Sequence, residues 1–489
     1  MSRSRFSAGW CRFAPLLVLA ACGGGGGGAA GQGPSGPAPV HTLAYAVSDC
    51  REGAQGGSGH EALWIRQGEH DPVTVVDFPP VSPLLPPGLC RDYAVNRGGR
   101  GPSLVGDVQR LAVSPDGSFI VFETTNALSI IPADPLPPEK EGMFFVHADG
   151  SGLRKLGPAS REPAFRFMLD FSSPAAIVAN FDSNLAISPS GGLIAFLDRG
   201  PGPAGEDATQ IFTLDIATGT RTQVTHLPPA NAPDPLTFAT RSPWFGDDGT
   251  IGFASFSNPE ELNPEGTSQF FFFVNVDGTG LTKFVEQQPV VLDGSRVITT
   301  FQITPQPEYV ETFQLTGPPV HDEVFVFLGA DLSQLTNFGR PDTSGWFLSA
   351  DHQRAFFTAS ANPRDTNPFE NCQLFSIDAL GSDLRQLTTF GTGQRSVRGC
   401  GSVAFGPGSV LYPPDCGLYP LGEDADTQTL VFSSQCDPLG KNPNGTQVFA
   451  MRPDGTGLRP LTETRGVVTE ADGTITVESP SVLAYGPSL

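Results

Sequence analysis

Side chains that do chemistry are present in this sequence but are nowhere grouped for it. The seven histidines are His41, His60, His70, His147, His226, His321 and His352, and no two lie three or four residues apart. Metal ligation or base catalysis by them requires the fold to bring distant positions together. No serine sits in Gly-x-Ser-x-Gly, the turn that lifts a nucleophile above an α/β-hydrolase sheet. The run Gly23–Gly28 lacks the flanking strand, helix and lysine of a phosphate loop or dinucleotide fingerprint. Asp149-Gly150-Ser151-Gly152, Asp277-Gly278-Thr279-Gly280 and Asp454-Gly455-Thr456-Gly457 could be compared with calcium loops. Each offers one carboxylate where calcium takes six or more oxygens, so they read as tight turns. No Cys-x-x-Cys or Cys/His cluster has zinc spacing. The sequence assigns no catalytic residue, metal ligand or cofactor.

Cysteine points to another chemistry. Residues 1–21 carry Arg3, Arg5 and Arg12, no acid, and the apolar run Ala14–Ala21, the pattern of an export signal. The segment ends Leu19-Ala20-Ala21-Cys22, which resembles the lipobox of bacterial lipoproteins. That resemblance implies cleavage before Cys22, acylation of its thiol and anchoring in a lipid bilayer. Gly23 after the lipidated residue implies sorting to the outer membrane, on its periplasmic or surface face. Residues 22–38 are Gly-rich and serve as a flexible tether. Beyond Cys11 and Cys22 six cysteines remain, Cys50, Cys90, Cys372, Cys400, Cys416 and Cys436, an even number that fits disulfides in an exported chain.

Composition narrows the partners. The 51 acidic and 29 basic side chains give a formal charge of −22, which repels phosphate backbones and excludes nucleic acid as a partner. No apolar stretch approaches the ~18 residues of a membrane-spanning helix. Gly (58) and Pro (47) are abundant while 39% of residues are apolar, a composition of short strands and many turns.

The elements that must position any site come from internal repetition. A short strand holding an aromatic recurs seven times, each followed by a turn and a second strand. Phe144-Phe145-Val146 with Leu153–Leu156, Leu374–Ile377 with Leu384–Leu387, and Val448–Met451 with Leu458–Leu461 are examples; the others start at Leu63, Ile211, Phe272 and Val324. A second turn precedes these pairs, as in Ser114-Pro115-Asp116-Gly117 before Ile120-Val121-Phe122 and Ser188-Pro189-Ser190-Gly191 before Ile194-Ala195-Phe196. Each unit thus holds four strands, and the units exceed the ~40–45 residues of a minimal propeller blade. The excess lies in Pro/Asn/Gly-rich insertions at 132–140, 157–182, 258–268, 361–371 and 406–427.

Ser-Pro-Asp-Gly, an Ile-x-Phe strand and Asp-Gly-Ser-Gly-Leu-Arg-x-Leu together resemble the TolB-type β-propeller repeat, over roughly residues 40–489. The resemblance implies an all-β, seven-bladed β-propeller of four-stranded antiparallel blades, with six or eight blades as alternatives. The domain boundaries are then 1–21 for the signal, 22–38 for the tether and 39–489 for the propeller. The tail, with strand character at 474–477 and 482–485, is expected to complete the first blade. Strand phenylalanines are expected between blades, and Phe270–Phe273 to be a strand buried on both faces or an adhesive patch. Within the implied frame Cys50 pairs with Cys90 and Cys372 with Cys400, leaving Cys416 for Cys436.

The function that fits is a non-catalytic binding or scaffold module at the bacterial cell envelope, its partner an envelope protein or surface ligand. A propeller lyase or hydrolase acting on a polysaccharide is the alternative, and would need a metal or carboxylate cluster on the inner strands. A ligand-sensing propeller coupled to transport is a third reading.

Overall fold

The computed structural model describes residues 41–77, 108–125, 138–162, 165–170, 176–181, 185–230, 240–262, 270–283, 291–298, 308–315, 321–339, 343–391, 400, 418–439 and 447–486, apart from one to three residues at a time inside these spans. The signal, the tether with Cys22, and Cys90 and Cys416 lie outside the described residues.

The fold is a β-propeller. Among the described residues seven antiparallel sheets of four or five strands follow one another along the chain. Sheet 2 shows why the sequence folds this way. Its strands Val108–Val113, Phe119–Thr124, Gly142–His147 and Arg154–Gly157 pair in chain order. The first three are rich in β-branched and aromatic residues and buried on both faces, while the short outer strand is largely exposed. Short outer strands, such as Arg221–Gln223, Thr282–Lys283, Arg385–Gln386 and Arg459–Pro460, leave little free edge for aggregation.

Turns set the register. In Ser114–Ser118 the Gly117 amide donates to Ser114 O and Gly117 takes φ +69°, which a side chain would resist. The Asp116 carboxylate accepts from Ser114 Oγ, Ser118 N and Ser118 Oγ at 2.7–3.0 Å. Asp149, Asp277 and Asp454 each accept the amide two residues on, at 2.9 Å, in the Asp-Gly turns. The two turn types touch: Ala148 N donates to Ser118 O, Ile216 N to Gly192 O and Ala379 N to Gln353 O. They share one end of the propeller. Antiparallel alternation puts every connection between second and third strands, and between sheets, at the other end.

Packing between sheets uses one stacked pair of rings in each of sheets 2, 3, 4, 6 and 7. Phe122–Phe144, Phe196–Phe212, Phe253–Phe272, Phe357–Phe375 and Phe432–Phe449 are directly opposed across the second and third strands, with centroids 5.4–6.1 Å apart. Each pair joins a core cluster with residues of the preceding sheet. In Phe270–Val274, Phe272 is core, while Phe271 and Phe273 are half-buried against the edge of Trp244.

Sheet 1 is built from the first and the last described strands of the chain. Its strand order is Val73–Asp77, Gly56–Gln67, Thr42–Gly53, Ile475–Gly486, Gly466–Thr469. The seam runs from Thr42 opposite Gly486 to Glu52 opposite Ile475, with one register shift at Tyr45/Ala46. Leu43, Tyr45 and Tyr485 pack with Val431, Val448 and Ala450 of sheet 7, joining last sheet to first. The tail is therefore one strand through Pro480 rather than two segments, the shift absorbing the extra residue. Two other details depart from four strands per unit. Sheets 1 and 5 have five strands, and the insertion 157–182 contains a hairpin, Phe165–Asp170 with Ala176–Phe181.

Candidate functional site

At the loop-bearing end a group of buried charges joins sheets 2 and 3. Arg110 lies on the inner strand of sheet 2, where a bulge at Gln109 places it directly opposite Glu123. The guanidinium pairs with the Glu123 carboxylate, and its Nη2 donates to Glu162 O at 2.8 Å. The other Glu123 oxygen accepts from Ser160 N. Ser160 Oγ donates to Leu197 O at 2.7 Å and Arg161 N to Asp198 Oδ1 at 2.7 Å, both on sheet 3. Glu162 accepts from Thr209 Oγ1 at 3.0 Å and lies 3.6 Å from Arg199. Arg221 pairs with Asp198 while stacking over Phe212 and Phe196 at 4.4 and 5.1 Å. Burial, with nearby Arg161 adding repulsion, lowers the Arg221 guanidinium below its usual value.

This arrangement bolts segment 160–162 between sheets 2 and 3. It is poorly suited to acid–base work, because Glu123, Glu162 and Asp198 are at most 3% exposed and bound to amides, hydroxyls and arginines of the fold. A general acid or base must reach a substrate proton. Sequence reasoning missed these residues, since their partners lie 13 to 52 positions away with no common spacing.

A second set of buried polar groups recurs in register. Gln210 Oε1 accepts from Thr225 Oγ1 and Leu227 N while its Nε2 donates to Leu227 O, at 2.7–3.0 Å. Gln373 with Thr388 and Phe390, and Gln447 with Thr462 and Thr464, repeat the clamp. In sheet 5, Glu323 accepts from Thr336 Oγ1 and Gly339 N at 2.6–2.7 Å. The signal was available: Gln or Glu two residues before the third-strand Phe, and Thr just after the outer strand. These clamps fix where the chain leaves each outer strand for the loop end.

One loop at that end is unusually well built. Residues 360–372 join the second and third strands of sheet 6, Arg354–Ala359 and Gln373–Asp378. Asn367, 4% exposed, donates from Nδ2 to Ala361 O and Asn371 O, and accepts on Oδ1 from Asn371 N. Its amide donates to Asn362 Oδ1 at 2.7 Å, and Thr366 Oγ1 reaches Gln386 Oε1 of the outer strand at 2.6 Å. Asp365 and Glu370 hold φ of +58° and +50°. A disulfide joins Cys372 at the loop's end to Cys400 in the connection leaving the same sheet. Between these fixtures Phe369 is 43% exposed.

The other residues singled out from sequence are scattered. Cys50 lies in strand Thr42–Gly53 and Cys436 is disulfide-bonded, but Cys90 and Cys416 fall outside the described residues. His60 meets Asp77 at 2.6 Å, His147 sits edge-on to Phe145, and His352 occupies a turn with φ +57°. Among the described residues no group of three or more His, Cys, Asp or Glu is placed to hold a metal. None of their helices is long and apolar enough to cross a membrane. At the seam Glu478 stands directly opposite Asp49, and burial, reinforced by the Asp49 charge, raises the Glu478 carboxyl above its ordinary value.

No protein-family model matches the chain, and no curated protein does. Solved structures do. TolB from Acinetobacter baumannii is 14% identical over 89% of this chain and 81% of its own, with a TM-score of 0.35. Oligogalacturonate lyase from Vibrio parahaemolyticus is 9% identical over 85% of this chain and 98% of its own, with a TM-score of 0.41. The tricorn protease matches 73% of this chain at 14% identity and a TM-score of 0.35, and the chain spans about a quarter (26%) of that protein. At these identities and scores the likeness says nothing about activity.

Proposed function

We propose that this is an exported β-propeller, lipid-anchored through Cys22 at the bacterial cell envelope. It acts as a non-catalytic binding or scaffold module whose working surface is the loop-bearing end. One observation carries the reading. The carboxylates of Glu123, Glu162 and Asp198 at that end are buried and bonded to the fold, so this cluster holds a shape rather than moving protons. The acidic balance favours basic or neutral partners over nucleic acid or an anionic bilayer surface.

The test pairs an activity assay with a processing assay. Purified protein is incubated with polysaccharides, including oligogalacturonate, with and without added manganese or calcium. No product is expected, and turnover of any glycan would replace the scaffold reading with the enzyme one. Cells treated with globomycin should accumulate the unprocessed precursor; normal processing would refute acylation at Cys22.

A further inference from the structure

The phenylalanines of the strands are spent on packing, but Phe369 is not. It stands 43% exposed on a loop whose backbone is held by Asn367, strained at Asp365 and Glu370, and tied down by the Cys372–Cys400 bond. A loop needing only to cover the strand ends would not require backbone in the left-handed region on both sides of one aromatic. Fixing an aromatic before binding removes the ordering cost that otherwise subtracts from affinity. Aromatic residues, phenylalanine among them, are enriched at the cores of protein interfaces. Sheet 7 packs directly against sheet 6, and its corresponding connection presents Leu439 at 38% exposure, extending the apolar character at the same end.

We propose that Phe369 is the anchor by which this propeller docks a second protein, inserting into an apolar pocket rimmed by lysine and arginine. The inference rests on the scaffold reading above and specifies its contact point. Charge selects the occupant. A chain of formal charge −22, whose loop charges Arg364, Asp365 and Glu370 sum to −1 beside the ring, is repelled by an anionic bilayer and attracted by a basic rim. Asn362 and Asn367 spend their side-chain amides on the loop itself, so these two are not offered to a sugar.

The experiment places a photo-crosslinking amino acid at position 369 or 439, or at Leu380, which is 85% exposed on the turn end, in the full chain in intact cells. A protein adduct common to 369 and 439 but absent from 380 is identified, purified and titrated against the wild type at low and high salt. Phe369→Ala should weaken that binding about tenfold or more, with melting temperature unchanged because the ring is exposed. Asp365→Lys should weaken it less and flatten the salt dependence. Equal adducts from 369 and 380, unchanged affinity in Phe369→Ala, or Phe369-dependent binding to phosphatidylglycerol vesicles or glycans would overturn the proposal. Adducts from 439 alone would retain the scaffold and reject this anchor, whereas glycan turnover would reject the scaffold itself.

Discussion

The two ends of the propeller solve the same problem, reversing the chain between strands, by opposite means. At the turn end the described reversals are satisfied within about five residues: in most an Asp accepts the amide two positions on, and in most a glycine supplies the positive φ. At the loop end the chain is held by distant partners, with Arg110 reaching Glu162 and Ser160 reaching Glu123 and Leu197. The turn end therefore repeats from sheet to sheet, while at the loop end, beyond the recurring Gln–Thr clamps, the described connections differ from one another. Repetition suits a frame, and individuality suits recognition.

The contrast predicts where damage is greatest. Arg110→Leu should cost about 3–5 kcal/mol in urea or thermal unfolding, because it strands the Glu123 carboxylate in the interior. Adding Glu123→Leu should restore much of that loss; no restoration would mean that the pair is not the source. Removing the Cys372–Cys400 bond with paired Cys→Ser substitutions should cost about 3–4 kcal/mol for a 28-residue separation. Limited proteolysis should then cut within 360–372 before the strands open. At the turn end Gly117→Ala should cost only about 1–2 kcal/mol, since φ of +69° penalises any side chain. A loss there matching that of Arg110→Leu would break the distinction between the ends.

The smallest effect is one of pH. Hydrogen bonds from neighbouring Ser or Thr hold the Asp116, Asp149, Asp277 and Asp351 carboxyls below the usual value of 3.8. A carboxyl lowered on folding stabilises the native state above its unfolded value, so this contribution is complete above about pH 4. It is lost as pH falls further, through the lowered native values. Replacing all four with Asn should flatten the acid side of a stability-against-pH curve; an unchanged slope below pH 4 would show that the turns do not use their charge.

The same contrast decides what was legible in the sequence. Ser114-Pro115-Asp116-Gly117 and Asp149-Gly150-Ser151-Gly152 announce turns because local backbone requirements choose those residue types. The strand phenylalanines announce the sheets for a similar reason, since each packs at a fixed register position. Arg110, Glu123, Glu162 and Asp198 announce nothing, because only the approach of two sheets and a connecting segment makes them neighbours. The Gln–Thr clamps fall between. Their 15-residue separation recurs at Gln210/Thr225, Gln373/Thr388 and Gln447/Thr462, but glutamine in a strand carries no turn or core signature of its own. Residues 361–371 stand out in sequence only as an insertion, although they form one of the best-braced connections.

The seam in sheet 1 bears on how such a chain reaches its native state. Thr42 lies opposite Gly486, so the first described strand waits for a partner made far later in the chain. Sheets 2 to 7 can form from hairpins of neighbouring residues as they are made, but sheet 1 stays incomplete until Ile475–Gly486 is in place. Contacts of such large sequence separation are slow to form, and the waiting strand Thr42–Gly53 is an unpaired edge throughout. A nascent chain stopped anywhere before residue 475 would keep that edge bare.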